Sequence, residues 1–421
     1  MAGLIGLVLT GSLAASAQTN LPGESLESLA YIFNTLWFVL GGALIMFMAI
    51  GFSLLEAGMV HRSSMSAISL KNIVTFAIAC TLYAVIGYGI TYPADWIIED
   101  VAPMPSLFNT SDEAVYTLSS KASDIFFQTV FVATCASIVS GSLAERVKLA
   151  PYFIFAAILS GFLYPVATSW QWGGGWLSYM GFSDFAGGML IHGMGGAAAL
   201  AAAIVVGPRR GRFQKDRIVR HQPYSLALST VGVLFLWVGF LGFNGGSQLS
   251  LGSAEDADSA SRILLNTVMA GSGGTLVSLL LSTIIYGKAD VPMVLNGTLG
   301  GLVILTAEPL TPAPIISLAI GCFGGGIVIL LKFLLEAIRV DDVVGAIPVH
   351  LGCGVIGTML VPLTNTGANF HYQAIGVATI FAWSFFPSLV IWLLLRAIFS
   401  VRVSAEQEDQ GLDSHQVRTL V

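Results

Sequence analysis

Eleven continuous apolar stretches joined by short polar loops constrain this chain more than any other feature. They fall at about 29–58, 73–96, 123–143, 150–169, 184–206, 223–244, 262–286, 290–309, 313–336, 343–363 and 372–398. A bilayer core about 30 Å thick is crossed by roughly 20 helical residues, so each stretch is long enough to span it. The runs do not alternate as the strands of a membrane β-barrel do. Only 10% of the 421 residues are charged and the mean hydropathy is +0.82, whereas soluble domains carry about a quarter charged residues. An all-α polytopic membrane protein embedded in a lipid bilayer is expected. No basic face survives outside the loops, which excludes a nucleic-acid partner. Cys80, Cys135, Cys322 and Cys353 sit in apolar segments without CxxC spacing and read as small buried hydrophobes. The 47 glycines suit helices packed closely through small residues.

Before the first span, "MAGLIGLVLTGSLAASAQTNLPGE" holds a short apolar run ending in Ala-Ser-Ala. Residues 1–18 are expected to form a signal peptide, an uncleaved tail being the alternative because a basic n-region is missing. The transmembrane domain then covers 19–398 and a cytoplasmic tail 399–421. Sixteen of the eighteen basic residues fall on one side of the expected spans, including six in "PRRGRFQKDRIVR", with only Lys121 and Arg262 opposite. The positive-inside rule therefore puts the N-terminus outside and the C-terminus in the cytoplasm.

Eleven spans divide as five, five and one, and an odd number of helices per half makes two repeats inverted in the membrane. Two short segments agree with this. The fifth span carries "IHGMGGA" and the tenth "VHLGCGV", so His192 and His350 occupy matched places, with Gly196 and Gly354 four residues on. A polar side chain in hydrocarbon is costly, and matched ionisable residues there point to function. Imidazole can donate and accept hydrogen bonds and relay protons near neutral pH. No third ligand stands at metal spacing. Asp184 precedes His192 by eight residues, a little over two turns. It reads as an N-cap and as a carboxylate whose field favours a cation at the pore mouth, two roles that are compatible because a buried capping carboxylate still lowers the energy of nearby positive charge. Phe127 and Phe131 share one face of the third span, Trp172 lies at the outer boundary, and Phe240, Phe243 and Ser247 recur at i, i+3, i+7 in the sixth. Read plainly these are core and interfacial aromatics. Together they also fit an aromatic cage with one hydroxyl for a small ammonium-type cation.

The segments "FFQTVFVATCASIVSGSLAER", "WQWGGGWL", "DFAGGMLIH", "GFLGFNGGS", "VLNGTLGGLVILTA", "RVDD" and "IPVHLGCGVIGT" occur in this order. The ordered set resembles the Amt/Mep/Rh ammonium transporter family, Amt branch, from about residue 29 to about 414. The resemblance implies a homotrimer in the cell (inner) membrane, each subunit with its own apolar pore and no cofactor. It implies that Phe131, Trp172 and Ser247 recruit ammonium outside, with Asp184 below them. Phe127 and Phe131 then match the stacked gate, His192 and His350 the twin pore histidines, and Gln128 and Phe243 the pore lining. Ammonium would deprotonate and ammonia cross, the proton travelling separately so that net transport is electrogenic; methylammonium is a further expected substrate.

Departures from the family pattern are specific. Phe240 stands where Trp is often found, which suggests an altered vestibule. Gly345 replaces a carboxylate after the paired aspartates, and "AEPLTPAP" replaces the usual Gly-Cys outer loop. The tail keeps Gly-Leu-Asp but lacks the His-Gly-Glu ending that the resemblance links to a PII-type signalling partner. Two rivals share the fold, an ammonium sensor and a passive Rh-like ammonia channel. The resemblance implies that sensors usually carry a fused cytoplasmic signalling domain, whereas about 23 residues follow the last span here, a separate signalling partner being the alternative. An enzyme is not expected, because the histidines lack a nucleophile or metal partner.

Overall fold

A computed structural model describes residues 26–107, 118–215 and 217–418, and the expected leader at 1–18 lies outside these. Nine described helices are long and apolar enough to cross a bilayer. They are α1 (Leu26–Met59), α2 (Arg62–Thr91), α3 (Lys121–Ser142), α4 (Leu149–Met180), α5 (Gly188–Val206), α6 (Leu226–Gly246), α7 (Ala254–Tyr286), α9 (Pro314–Ala337) and α11 (Phe370–Ile398). Two shorter apolar helices, α8 (Val291–Leu305) and α10 (Ile347–Leu363), occupy the places of the expected eighth and tenth spans. The chain is an all-α polytopic membrane protein. A small antiparallel hairpin, β1 (Trp96–Ile98) with β2 (Ala102–Pro103), sits in the α2–α3 connection, where no strand was expected.

The α3 and α5 helices are the most enclosed of the nine, whereas α7, α9 and α11 show apolar side chains such as Ile284, Leu330 and Ile398 to the surroundings. That is the burial pattern of an inner bundle wrapped by lipid-facing helices. Small residues set the closest approaches. A Cβ on Gly325 would lie 2.6 Å from the Gly274 carbonyl oxygen, so α7 and α9 meet backbone to backbone.

The second span begins at Arg62 rather than at 73. The polar start is helical because its polar groups are paired inside the bundle. Lys71 Nζ lies 3.4 Å from Glu56 Oε2 and donates to the Ser140 carbonyl at 2.8 Å, and Asn72 Nδ2 donates to the Ile68 carbonyl. Desolvation makes such a pair expensive unless its hydrogen bonds are made, and here α1, α2 and α3 converge to make them.

The two halves carry one local design. Gly188–Gly193 at the start of α5 and Ile347–Gly352 at the start of α10 are π-helical turns, each holding a histidine. Gly187 (φ +89°) and Gly345 (φ +86°) stand five residues before those histidines in the left-handed region, which side-chain-bearing residues avoid. Gly345 is therefore required by the backbone, and the carboxylate expected there would also meet the Asn296 side chain. Four residues after each histidine, a Cβ on Gly196 would strike the Leu351 backbone and one on Gly354 the Gly188 carbonyl. The α5 and α10 helices thus pack at backbone contact, and this brings their histidines together.

The tail folds back on the chain's most basic face. In the short helices α12 (Ala405–Gln410) and α13 (Asp413–Gln416), Glu408 pairs with Arg402 at 2.8 Å. Asp413 accepts the backbone N–H groups of Ser66 and Ala67 at the start of α2.

Candidate functional site

An aromatic ladder runs through the middle of the bundle. The Phe38 ring meets Phe127 edge-on at 5.3 Å, and Phe127 lies 4.6 Å from Phe131. Phe131 stacks on Phe243 at 4.3 Å and meets Trp172 in a T-shaped contact at 6.2 Å. His192 follows, 5.1 Å from Phe243, then His350, 5.1 Å from His192, then Phe52, 6.1 Å from His350. Phe127 and Phe131 are almost wholly buried, at 1% and 2% exposure, so their rings are shut off from solvent. Their i, i+4 spacing on α3 puts both rings on one face.

Ser247, at the C-terminal end of α6, donates its hydroxyl to the backbone carbonyl of Phe243 at 2.8 Å, which fixes the oxygen against the helix one turn from the residue whose ring stacks on Phe131. Trp172 Nε1 donates to the Asp184 carbonyl at 3.1 Å. Phe240 belongs elsewhere: it stacks on His192 at 5.3 Å with 25° between rings. Two helical turns separate Phe240 from Ser247, about 10 Å of rise, so Phe240 stands at the level of His192. Gln128 Nε2 donates to Tyr92 Oη at 2.8 Å and approaches Asp124 Oδ1 at 3.4 Å.

His192 Nδ1 lies 3.1 Å from His350 Nδ1 and both rings are buried. Two imidazoles in Nδ1–Nδ1 contact share one proton: one donates through Nδ1–H and the other accepts. In a neutral pair the donor's Nε2 then carries a lone pair and the acceptor's Nε2 carries a proton. The pair offers one acceptor and one donor, and exchange of tautomers reverses them. His192 Nε2 is buried without a hydrogen-bond partner among the described residues, a group that a permeant with N–H bonds and a lone pair could satisfy.

Asp184 is an N-cap. Its Oδ1 accepts from the backbone N–H of Gly187 and Gly188 at 3.0 and 2.7 Å, and its Oδ2 from Met189 and Leu190, both at 2.8 Å. Four hydrogen bonds occupy a carboxylate fully, so its charge is directed into the start of α5. Asp342 repeats the arrangement eight residues before His350, accepting from Gly345, Ala346 and Ile347. Burial pushes Asp342 up to about 6 against the pull of those three N–H groups. The sequence reading missed this second cap, although the identical eight-residue spacing could have disclosed it.

Below His350 a cleft of about 10 Å³ is bounded by Phe52, Ser137, Asn296 and Val344, room for about one water. Asn296, Val344 and Gly345 also border a cavity of about 600 Å³ on the basic face. Beside it Arg209 bridges two carboxylates, donating to Asp341 Oδ2 at 2.8 Å and to Glu145 Oε2 at 2.6 Å. His61 Nδ1 lies 2.7 Å from Glu145 Oε1. Burial raises Glu145, but the hydrogen bond from His61 and the charge of Arg209 outweigh it and hold the carboxyl at about 2. This cluster was not anticipated, because its four residues come from four separate loops.

The profile of the Ammonium Transporter Family matches residues 36–419, and the chain belongs to that family. The ammonium transporter Amt2 of Archaeoglobus fulgidus is 34% identical over 408 residues, covering 90% of this chain and 85% of that one. Amt1 of Haloferax mediterranei is also 34% identical, over 90% of this chain and 77% of its own. A solved structure described as a sensor Amt protein superposes with a TM-score of 0.87 at 31% identity, covering 92% of this chain and 98% of that one.

Proposed function

We propose that this chain is an ammonium transporter that recruits ammonium at the Phe131–Trp172–Ser247 cage, passes the Phe127–Phe131 gate and conducts ammonia along His192 and His350. The observation that carries this reading is the buried Nδ1–Nδ1 histidine pair at the foot of the phenylalanine gate. Ammonium and potassium have nearly the same size, so radius alone does not separate them. Ammonium differs in donating directional hydrogen bonds and in being able to lose a proton. Aromatic faces and a hydroxyl exploit the first property. The apolar gate exploits the second, since a bare ion pays a large desolvation cost there and a neutral molecule does not. Past the gate, the acceptor and donor Nε2 positions replace hydrogen bonds that ammonia gives up on leaving water.

The released proton crosses separately, making net transport electrogenic, and the tautomer exchange of the pair offers it a relay. Methylammonium fits the same cage. The basic face is cytoplasmic by the positive-inside rule, the protein acts in the cell membrane as a homotrimer, and a PII-type protein is a candidate partner on that face. The likeness to a sensor Amt protein over 92% of this chain favours a second reading, a conduction-poor ammonium sensor. The test is an ammonium concentration jump on proteoliposomes adsorbed to a solid-supported membrane, with potassium as control. A saturating current specific to ammonium supports transport. Silence from folded protein that still binds ammonium favours the sensor.

A further inference from the structure

The carboxylate expected to attract ammonium, Asp184, has both oxygens engaged by four backbone N–H groups. A different carboxylate stands over the gate. Asp124, in the first turn of α3, is 8% exposed. Asp124, Phe127, Gln128 and Phe131 follow one another at i, i+3, i+4 and i+7, which is one face of a helix. It is the face whose phenylalanines form the constriction.

The side chains around Asp124 are arranged. Tyr88 Oη donates to Asp124 Oδ2 at 2.6 Å. Gln128 Nε2 faces Asp124 Oδ1 at 3.4 Å and donates to Tyr92 Oη at 2.8 Å. An ionised carboxylate only accepts, so Asp124 dictates which way the Gln128 amide turns. The amide nitrogen is drawn to Asp124 and Tyr92, and the amide oxygen is left to face the other way.

On the reading that this chain moves ammonium, we infer that Asp124 is the carboxylate that sets its affinity for the cation, through its charge above the gate and by turning the Gln128 amide oxygen toward the ion. Asp124 and Phe131 are two helical turns apart, about 10 Å in rise. At that distance, with an effective dielectric between about 25 and 80, one charge alters cation occupancy roughly two- to tenfold. Lys121, one turn earlier on the same helix, adds a positive charge at the same rim and acts in the opposite sense.

The experiment measures ammonium-evoked current against concentration for the full chain in proteoliposomes, at low ionic strength and in about 0.5 M sodium chloride. Asp124→Asn is expected to raise the half-saturating concentration two- to tenfold while the maximal current stays within twofold. The difference should shrink in high salt, where the screening length is only a few ångströms. Lys121→Met is expected to lower the half-saturating concentration, and this holds even should Asp124→Asn fold poorly. Tyr88→Phe removes the hydrogen bond and keeps the charge, and it should change affinity less than twofold. An unchanged affinity in both Asp124→Asn and Lys121→Met would overturn the assignment. So would a salt-insensitive loss that Tyr88→Phe reproduces, which would make Asp124 a packing residue. Absence of current in the unmodified protein overturns the transport reading instead, a separate result.

Discussion

The Nδ1 atoms of His192 and His350 lie 3.1 Å apart although 158 residues separate them in the chain. Close packing of α5 on α10, through Gly196 and Gly354, puts the rings in register. Among the described residues neither ring makes another side-chain hydrogen bond, so each depends on the other.

Replacing either histidine by alanine orphans the partner's Nδ1 in an apolar pore, a penalty of about 1–3 kcal/mol. His192→Ala and His350→Ala are expected to cut ammonium current at least tenfold or to abolish its discrimination against potassium. His371→Ala, at the exposed start of α11, should behave as the unmodified protein. Equal currents from all three variants would refute the twin-histidine role.

The aspartate caps should act on stability. Asp184→Ala leaves four backbone N–H groups without their acceptor, and Asp342→Ala leaves three. A helix cap is worth about 0.5–2 kcal/mol, and these multiple caps belong at the upper end. Thermal unfolding in detergent should shift down by several degrees for each, with Asp184→Asn intermediate. A melting temperature unchanged in Asp184→Ala would show that water replaces the cap.

Gly345→Ala is expected to cost about 1–2 kcal/mol, the penalty of a left-handed residue with a Cβ. The new methyl also meets Asn296. Gly174, also left-handed but with nothing near its would-be Cβ, supplies the control: Gly174→Ala should show the backbone penalty alone. Comparing the two melting temperatures separates strain from collision.

The Glu56–Lys71 pair is predicted to be worth little as a pair and much when broken. Lys71→Met leaves a buried carboxylate and should destabilise by about 3–5 kcal/mol, whereas Glu56→Gln with Lys71→Met should recover most of that loss. Denaturation of the single and double variants decides the matter. A double variant as unstable as the single would mean that the pair contributes through packing instead.

Stability on the basic face should depend on pH with a defined sign. The hydrogen bond that His61 donates to Glu145 raises His61 above its ordinary 6.5, so protonated His61 stabilises the fold fully below 6.5, and this is lost as pH rises through the raised value. Glu145, held at about 2 from an ordinary 4.5, contributes above 4.5 and loses this only as pH falls toward 2. The contact is strongest between about 4.5 and 6.5. The melting-temperature difference between the unmodified protein and His61→Gln should be larger at pH 5.5 than at pH 9, and a difference independent of pH would exclude the linkage.

Much of this protein was legible in the linear chain. Hydropathy located the spans, because hydrocarbon demands helices with apolar surfaces whatever they pack against. The equal spacing of His192 and His350 from their following glycines marked the two halves, and the i, i+4 pair Phe127–Phe131 marked one face of α3. Each of these signals lies within a single helix, where periodicity alone orders the side chains.

What the tertiary structure decided is how the polar groups are used. Sequence could name Asp184 as cap or cation attractor, but only the fold shows four N–H groups closing on it. It could not place Phe240 at the histidine level, pair Glu56 with Lys71, or bring Asp124 under Tyr88. A carboxylate's role depends on the donors that reach it within about 3 Å, and here those donors arrive from helices and loops far away in the chain. Periodicity sets which way a side chain points, and packing alone sets what it meets.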